Sequence, residues 1–323
     1  MKISAKKYER LENLSNDKGI IAALAIDQRG AMEKLVPNLK GKEQSDKIKA
    51  YKNAVSKELT PFASSILLDP IYGLDAIGKR AKNAGLLLAY EITGYENDER
   101  QLRLIENLSA RRLVEAGADA AKLLLYYDVD DTEENNDKKK ATIERIGSEC
   151  ENEDLPFFLE IITYDNKIGD TSSKEFAKVK PHKVIGAVKE FTKPKYKVDV
   201  LKLEVPVNMN YVESFGEEYV YTREEALNFF KQQSDATNLP ILYLSAGVSA
   251  KLFQDTLRFA KEAGTEFHGV LCGRATWKGG VAPFLENEEK GIEWLRTTGK
   301  ENITSLNDVI QETAVSWKQR LEK

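Results

Sequence analysis

The chain has 323 residues, of which 41% are hydrophobic and 31% are charged, and its formal net charge at pH 7 is −4. This mild acidity argues against a surface for nucleic acids or anionic membranes, so we predict neither as a partner. Two cysteines without a CxxC pair, Cys150 and Cys272, indicate a reducing compartment and no disulfide framework. Residues 1–19 lack the apolar segment of a signal peptide, and no apolar run is long enough to span a bilayer. We therefore expect a cytoplasmic protein.

Eight apolar segments of β-type recur along the chain, separated by segments long enough for helices. The predicted strands are Ile20–Asp27, Phe62–Pro70, Gly85–Glu91, Ala120–Asp128, Pro156–Asp165, Val198–Pro206, Leu239–Gly247 and Phe267–Arg274. Eight consecutive strand–helix units predict an α/β fold, a (β/α)8 TIM barrel, as a single domain over residues 1–323. An open doubly wound sheet is the alternative, and it is disfavoured because no GxGxxG sequence follows the first strand.

The segments between the strands carry helix signals of different strength. Thr222 and Glu225 form a capping box at the start of one predicted helix. Ser249 can cap another helix, which Gly264 would end. Two less distinct helices are predicted, over Asp46–Leu59 and Lys174–Phe191.

Three regions depart from the regular alternation. Asp128–Asp154 is interpreted as a solvated loop and helix face. Thr163–Lys183 is a polar extension that either covers an active site or is a tolerated surface insertion. Asn302–Lys323 predicts an additional C-terminal helix, which packs under the barrel or joins a subunit interface. The sequence therefore leaves open whether the protein forms a homo-oligomer.

Four predicted strands carry ionisable residues at or near their ends. Lys122, Glu160 and Lys202 lie within the fourth, fifth and sixth strands, and Asp27 lies where the first strand ends. The C-terminal ends of barrel strands surround the active site. A single lysine in an apolar strand ordinarily lies near the end of the strand and extends its ammonium group into water. Several charged residues inside neighbouring apolar strands are hard to explain by stability. A buried ion pair is usually no better than an apolar pair, so these residues are candidates for a functional site.

These residue types suit amine catalysis. A neutral lysine attacks a ketone and forms a Schiff base, which accepts electrons when a carbon–carbon bond breaks. Burial and a second ammonium group lower the pKa of a lysine, so Lys202 beside Lys122 is the candidate nucleophile. Glu160 lies in an apolar strand that would raise its pKa, and we predict that it carries protons. Asp27 is predicted to take or orient the proton of the substrate hydroxyl group beside the cleaved bond.

The sequences at the ends of the seventh and eighth strands predict an anion site. Leu244–Ser249 reads LSAGVS and Cys272–Gly280 reads CGRATWKGG. Barrels often bind phosphate with the loops after these strands, because glycines let backbone N–H groups approach the anion. Arg274 is the candidate for a bidentate contact. Arg29, after the first strand, is either the ligand of a second phosphate or half of a surface salt bridge.

The sequence does not predict a metal centre or a cofactor. It contains two histidines, His182 and His268, whereas a zinc aldolase usually needs several imidazoles on its metal. The acidic run Asp128–Asp131 is interpreted as solvated rather than as a site for a divalent cation.

Eight motifs, spread over essentially the whole chain, resemble those of one known family. They are ALAIDQRGA, SSILLDPIYG, KLLLYYDVDD, PFFLEIITYD, VDVLKLEVPVNM, YLSAGVS, GVLCGRATW and EWLRTTG. With them the chain resembles the class I tagatose 1,6-bisphosphate aldolases of lactose and galactose catabolism in Gram-positive bacteria. The resemblance implies a (β/α)8 barrel that cleaves D-tagatose 1,6-bisphosphate to glycerone phosphate and D-glyceraldehyde 3-phosphate. It also implies loose discrimination of sugar configuration, so that fructose 1,6-bisphosphate is expected as a further substrate.

The resemblance implies roles for individual residues as well. Lys202 would form the Schiff base and Glu160 would transfer protons, with Asp27 and Lys122 in support. The implied phosphate ligands are Ser245, Gly247 and Arg274 at one end of the substrate, and Gln28 and Arg29 at the other.

Two other functions are compatible with the sequence. An aldolase for a related phosphorylated ketose, such as a sulfosugar phosphate, would keep Lys202 and Arg274 and change the group that meets Arg29. A non-catalytic barrel that senses sugar phosphates and regulates a partner would have no need of Lys202, Glu160 and Lys122 together.

Overall fold

The computed structural model describes residues 1–92 and 99–323. Its centre is a closed barrel of eight parallel strands in sequential order, β1 to β8. The strands span Ile21–Ile26, Ser65–Leu68, Gly85–Ala89, Ala120–Tyr127, Phe157–Thr163, Val200–Leu203, Ile241–Leu244 and Gly269–Cys272. Every predicted strand segment contains one of these strands, so the (β/α)8 barrel is confirmed. Each strand is shorter than predicted, because residues at the ends of the apolar runs already belong to the loops.

The α-helices surround the barrel or cover its ends. They are α1 to α13 in chain order: Ala5–Leu14, Gly30–Glu33, Gly41–Leu59, Leu74–Ile77, Ala110–Glu115, Glu133–Asn152, Lys174–Phe191, Arg223–Asp235, Ala250–Glu262, Arg274–Trp277, Val281–Glu286, Glu288–Trp294 and Lys300–Thr313. Short 3₁₀ turns lie at Thr60–Phe62, Pro194–Tyr196, Met209–Tyr211, Lys278–Gly280 and Trp317–Gln319, and a π-helical turn at Leu295–Gly299 joins α12 to α13. Among the described residues, no helix is long and apolar enough to cross a bilayer.

The predicted helix starts are confirmed where a capping side chain marks them. Thr222 and Glu225 form the capping box of α8, and the Ser249 side chain accepts a hydrogen bond from Leu252 N at the start of α9. By contrast, α3 begins at Gly41, five residues before the predicted Asp46, and no side chain caps it.

The predicted polar extension after β5 is reduced by a helix. α7 spans Lys174–Phe191 as predicted, and its N-cap Ser173 accepts a hydrogen bond from Phe176 N. The irregular chain between β5 and α7 is therefore residues 164–173, which is about half of the expected extension.

Side chains alternate along each strand between the barrel interior and the surrounding helices. Apolar side chains from all eight strands form one cluster in the barrel interior. They are Ile21, Ala23, Ala25, Leu67, Leu87, Ala120, Phe158, Val200, Leu242 and Leu271. Two residues further along, on the same inward face, follow Asp27, Lys122, Glu160 and Lys202. The strands thus place a charged layer on top of a packed apolar one.

The N-terminal end of the barrel is closed by α1 and by the chain after α13. Leu11 and Leu14 of α1 and Trp317 and Leu321 near the C-terminus join the interior apolar cluster. The predicted C-terminal helix is confirmed as α13, but α13 packs beside α9, and it is the segment after α13 that covers the barrel. α1 is a helix that was not predicted from the sequence.

Candidate active site

The four predicted catalytic residues meet at the C-terminal end of the barrel. Lys122 Nζ lies 2.8 Å from Asp27 Oδ2 and 2.8 Å from Glu160 Oε2, and Lys202 Nζ lies 2.9 Å from the same Glu160 oxygen. Glu160 and Lys202 are register partners on the paired strands β5 and β6, which sets their side chains side by side. All four residues are at least nine-tenths buried. The structure therefore joins Asp27, Lys122, Glu160 and Lys202 in one continuous chain of ion pairs.

Glu91, just beyond the end of β3, belongs to the same cluster and was missed as a site residue. Its carboxylate is completely buried and accepts hydrogen bonds from Lys122 Nζ at 3.0 Å and from Leu124 N at 3.2 Å. Arg29 Nη2 donates to it at 3.4 Å. The sequence did contain a signal, because Glu91 follows the apolar run LLLAY at the same kind of strand end as Asp27.

The charges of the cluster favour the ionised forms of Lys122, Glu160 and Asp27. Burial alone would lower the pKa of Lys122, but the carboxylates of Asp27, Glu160 and Glu91 raise it well above its ordinary value. Burial alone would raise the pKa of Glu160, but the ammonium groups of Lys122 and Lys202 bring it below its ordinary value. The same two lysines outweigh burial and lower the pKa of Asp27.

The expected rise in the pKa of Glu160 is therefore wrong. The sequence shows the apolar neighbours of Glu160 along its own strand. It does not show that two ammonium groups from the adjacent strands lie within 3 Å of the carboxylate. Opposite charges at this distance outweigh the cost of burying the carboxylate. The ionised carboxylate of Glu160 can accept a proton, and it can act as an acid only after it has done so.

The predicted anion site lies at the ends of β7 and β8. Ala246 and Gly247 have positive φ angles of 48° and 81° in the loop between β7 and α9. The Arg274 side chain crosses this loop, since a Cβ atom added at Gly247 would lie 3.0 Å from Arg274 Nη2. Ser245, also in the loop, is 7% exposed. Gly247 thus leaves room for the guanidinium group and exposes backbone beside it, an arrangement that suits an anion.

Gln28 and Arg29 lie after β1 and point to different neighbours. Gln28 Nε2 lies beside β8, where a Cβ atom added at Gly273 would be 3.3 Å away. Arg29 is only 5% exposed and contacts Glu91, so it does not form a surface salt bridge. In the described part of the chain, Arg29 Nε and Nη1 and Gln28 Oε1 are buried without a hydrogen-bond partner. Buried unpaired donors are rare, and those of Arg29 suit an anionic ligand.

Neither histidine belongs to the cluster. His182 Nε2 lies 2.8 Å from Asp130 on the exposed side of α7. His268 is completely buried, and its Nδ1 accepts a hydrogen bond from Ile241 N at the N-terminal end of β7. Within residues 1–92 and 99–323, no group of three or more His, Cys, Asp or Glu side chains is placed to hold a metal ion.

Together, the fold and the cluster define a (β/α)8-barrel enzyme whose buried lysines can support cleavage of a carbon–carbon bond. The family described as DeoC/LacD family aldolase matches residues 21–279. The chain belongs to this family and is an aldolase.

Curated relatives match the chain over nearly its full length. It is 57% identical to tagatose 1,6-diphosphate aldolase 2 of Enterococcus faecalis, over 99% of this chain and 98% of that protein. It is 57% identical to the tagatose 1,6-diphosphate aldolase of Streptococcus pneumoniae and 59% identical to that of Staphylococcus aureus, in each case over 99% of this chain and 100% of the relative.

Solved structures of other aldolases share the fold. A fructose-bisphosphate aldolase from Plasmodium falciparum superimposes with a TM-score of 0.67 at 17% identity, over 100% of this chain and 98% of that chain. A Schiff-base-forming fructose-1,6-bisphosphate aldolase has a TM-score of 0.57 at 15% identity, over 94% of this chain and 99% of that chain.

Proposed function

We propose that this aldolase cleaves D-tagatose 1,6-bisphosphate to glycerone phosphate and D-glyceraldehyde 3-phosphate through a Schiff base on Lys202. The observation that carries the proposal is the difference between the two buried lysines. Lys122 lies within 3.0 Å of three carboxylates, those of Asp27, Glu91 and Glu160, and its pKa is raised. Lys202 has one carboxylate within ion-pair distance among the described residues, that of Glu160. Lys122 therefore stays charged, and Lys202 is the lysine that can become a nucleophile.

Glu160 is the proposed proton carrier. The Glu160 carboxylate takes a proton from the Lys202 ammonium group, and the neutral Nζ attacks the C2 ketone to give a carbinolamine. Glu160 then passes the proton to the carbinolamine hydroxyl group, which leaves as water. Glu160 Oε2 lies 2.9 Å from Lys202 Nζ, within reach of the groups on C2. Deprotonation of Lys202 removes one of the two charges that lower the pKa of Glu160. Loss of the proton from the lysine thus makes the neighbouring carboxylate a stronger base.

Bond cleavage then uses the iminium group as an electron sink. Glu160, again a carboxylate, takes the proton of the C4 hydroxyl group, the C3–C4 bond breaks, and the electron pair passes to the iminium nitrogen to give an enamine. Glyceraldehyde 3-phosphate leaves, C3 takes up a proton, and water hydrolyses the iminium to release glycerone phosphate and Lys202. Asp27, held 2.8 Å from the Lys122 ammonium, is the proposed group that orients the C4 hydroxyl.

The two phosphate groups of the substrate have separate proposed ligands. C1 is bonded to the carbon that Lys202 attacks, so its phosphate must lie near β6, where the loops after β7 and β8 offer Ser245, Gly247 and Arg274. The phosphate on C6 lies four carbons beyond C2, and we assign it to Arg29, with Gln28 beside it. The buried unpaired donors of Arg29 support this assignment.

The test is reductive trapping. With glycerone phosphate and borohydride, in the presence of EDTA, the protein should lose activity and carry one adduct, which peptide mapping should locate on Lys202. EDTA alone should leave the activity on tagatose 1,6-bisphosphate intact, because the proposed electron sink is the iminium and not a metal. Lys202→Met is the control and should form no adduct.

An adduct on Lys122 would contradict the assignment of the nucleophile. Full activity after borohydride treatment with substrate, and no adduct, would contradict the Schiff-base mechanism. Loss of activity in EDTA that zinc restores would contradict the proposed absence of a metal.

A further inference from the structure

Lys52 of α3 reaches the loop that carries the proposed site residues of β1. Its ammonium group donates to the carbonyl oxygen of Ile26 at 2.8 Å and to that of Gln28 at 2.9 Å. The first carbonyl belongs to the peptide unit that leads into Asp27, and the second to the unit that leads into Arg29. One buried ammonium group thus fixes both peptide units from which the two side chains project.

Asp69 completes the arrangement from the end of β2. It forms an ion pair with Lys52, and both side chains are completely buried. Its other oxygen, Oδ1, accepts hydrogen bonds from the N–H groups of Ile71 at 3.0 Å and Tyr72 at 2.8 Å. Asp69 therefore holds the loop after β2 as well as Lys52, and the pair links α3 to the ends of two neighbouring strands.

The pair is poorly explained as a source of stability. A buried ion pair is often no more stabilising than well-packed apolar residues of similar volume, because both charges lose their hydration. What an apolar pair would not supply is a donor for two carbonyl groups at the end of a strand. The contacts of Lys52 thus favour a role in geometry over a role in stability.

We propose that Lys52 is a positioning residue that sets the Asp27 carboxylate and the Arg29 guanidinium relative to the Lys122–Glu160–Lys202 cluster. This inference rests on the proposed function, in which Asp27 orients the C4 hydroxyl and Arg29 binds the second phosphate. Lys52 itself contacts neither Asp27 nor Arg29 through their side chains, and it contacts Gln28 only at its backbone carbonyl group. Removal of the Lys52 ammonium group should therefore impair the proposed roles of Asp27 and Arg29 and leave the reactivity of Lys202 unchanged.

A second buried lysine–aspartate pair offers a matched control. Lys7 of α1 lies 2.9 Å from Asp199, which precedes β6 at the opposite end of the barrel, and both side chains are at least 95% buried. The test compares Lys52→Met/Asp69→Asn with Lys7→Met/Asp199→Asn. Each double variant removes one buried charge pair and keeps an oxygen acceptor at the aspartate position.

Both variants should lose stability, but they should differ in catalysis. Adduct formation on Lys202 with glycerone phosphate and borohydride should persist in both, and its stoichiometry counts the active sites. Per active site, kcat/KM for the bisphosphate should fall about 10²-fold in the Lys52 variant, the scale of a misplacement of about 1 Å, and stay near wild type in the Lys7 variant. The loss should include a lower kcat, through Asp27, and a higher KM, through Arg29.

Equal kcat/KM values per active site in the two variants would overturn the inference and make Lys52 a purely structural residue. If Lys52→Met/Asp69→Asn does not fold, Lys52→Gln serves instead. Its amide keeps an N–H donor, but on a side chain shorter than the one that brings Lys52 Nζ to the carbonyl groups of Ile26 and Gln28. A normal kcat/KM of Lys52→Gln would likewise overturn the inference. Failure of the wild-type protein to form an adduct would contradict the proposed function and not the positioning role.

Discussion

Glu160 is the residue at which the two lysines of the site meet. Its Oε2 lies 2.8 Å from Lys122 and 2.9 Å from Lys202, at ion-pair distance but without the alignment of a hydrogen bond. Lys122 is also held by Asp27 and Glu91, which favour its charged form, while the proposed Schiff-base step requires Lys202 to lose its charge. The carboxylate thus lies between a permanent cation and a transient one, and its proton affinity should follow the state of Lys202.

Replacement of Glu160 by Gln tests this role. The amide keeps the size of the side chain but cannot carry a proton, so kcat on tagatose 1,6-bisphosphate should fall by roughly 10²–10⁴, the usual contribution of general acid–base catalysis. KM should change little, because the carboxylate acts mainly in the transition state. Steady-state kinetics give both constants, and circular dichroism checks the fold.

Arg274→Ala is the contrasting variant at the same end of the barrel. It removes the proposed charge-assisted contact to a substrate phosphate, which does not react, so it should mainly raise KM. A near-normal kcat for Glu160→Gln would assign proton transfer to another group, and Asp27 would be the next candidate. An unchanged KM for Arg274→Ala would show that the phosphate lies elsewhere.

At the residue scale, the sequence predicted which charged groups would lie together at the candidate site better than it predicted their protonation state. Charges inside apolar strands stand out because they are costly to bury. Their partners do not stand out, since Lys122 meets Asp27 from 95 positions away and Glu91 from 31. The pKa direction of Glu160 and the membership of Glu91 both depend on such contacts, which the closed barrel creates.

At the scale of elements, the strands were predictable because parallel strands buried on both faces form continuous apolar runs. The helices were predictable where a cap or a turn residue marks an end, as Thr222 and Ser249 do. α3 shows the limit. It begins with the charged sequence GKEQSDK and no side-chain cap, yet it supplies Tyr51, which donates to Trp277 O, and Lys52.

His268 gives a prediction about how β7 and β8 are joined. Its Nδ1 accepts a hydrogen bond from Ile241 N, and burial, with a contribution from the positive charge of Arg320, lowers its pKa to about 3 from 6.5. Between these values the unfolded chain binds a proton that the native protein does not. Acidification through this window should therefore destabilise the native protein, by up to about 1.4 kcal/mol per pH unit.

His268→Asn should remove this pH dependence, because the amide oxygen can replace Nδ1 as the acceptor but does not titrate. The variant should be less stable than wild type at pH 7, through lost packing, and the difference should shrink as the pH falls towards 4. Urea unfolding of both proteins at pH 7, 6, 5 and 4 measures it. If the free energies of unfolding of the two proteins change with pH in parallel, the buried histidine binds its proton over the same pH range in the native and the unfolded state.

At the scale of the whole molecule, the charged cluster and the apolar cover of the barrel lie at opposite ends. Its C-terminal end holds the cluster of Asp27, Glu91, Lys122, Glu160 and Lys202. Its N-terminal end is filled by apolar side chains and covered by α1 and the chain after α13. This division is typical of (β/α)8 barrels, in which residues at the C-terminal ends of the strands carry activity and the opposite end carries stability.

Two completely buried tryptophans allow the division to be tested, one at each end of the barrel. Trp317 lies in the N-terminal apolar cluster, and its backbone N–H donates to Gly19 O at 3.0 Å. Trp277 lies at the other end, where its Nε1 donates at 2.9 Å to the carbonyl of Ala25, two residues before Asp27. Replacing either by Ala should lower the free energy of unfolding by about 3–5 kcal/mol, the usual cost for a buried aromatic side chain.

The two variants should differ in activity. Trp317→Ala should keep kcat/KM within about twofold of wild type per active site, because the packed apolar layers separate Trp317 from the cluster. Trp277→Ala should lose activity as well as stability, because Ala25 and the peptide units that position Asp27 lose their support. Urea unfolding measures stability, and the stoichiometry of borohydride trapping counts active sites for the kinetics. A loss of kcat/KM in Trp317→Ala as large as that in Trp277→Ala would show that the two ends of the barrel are coupled and that closure of the N-terminal end helps to hold the site in place.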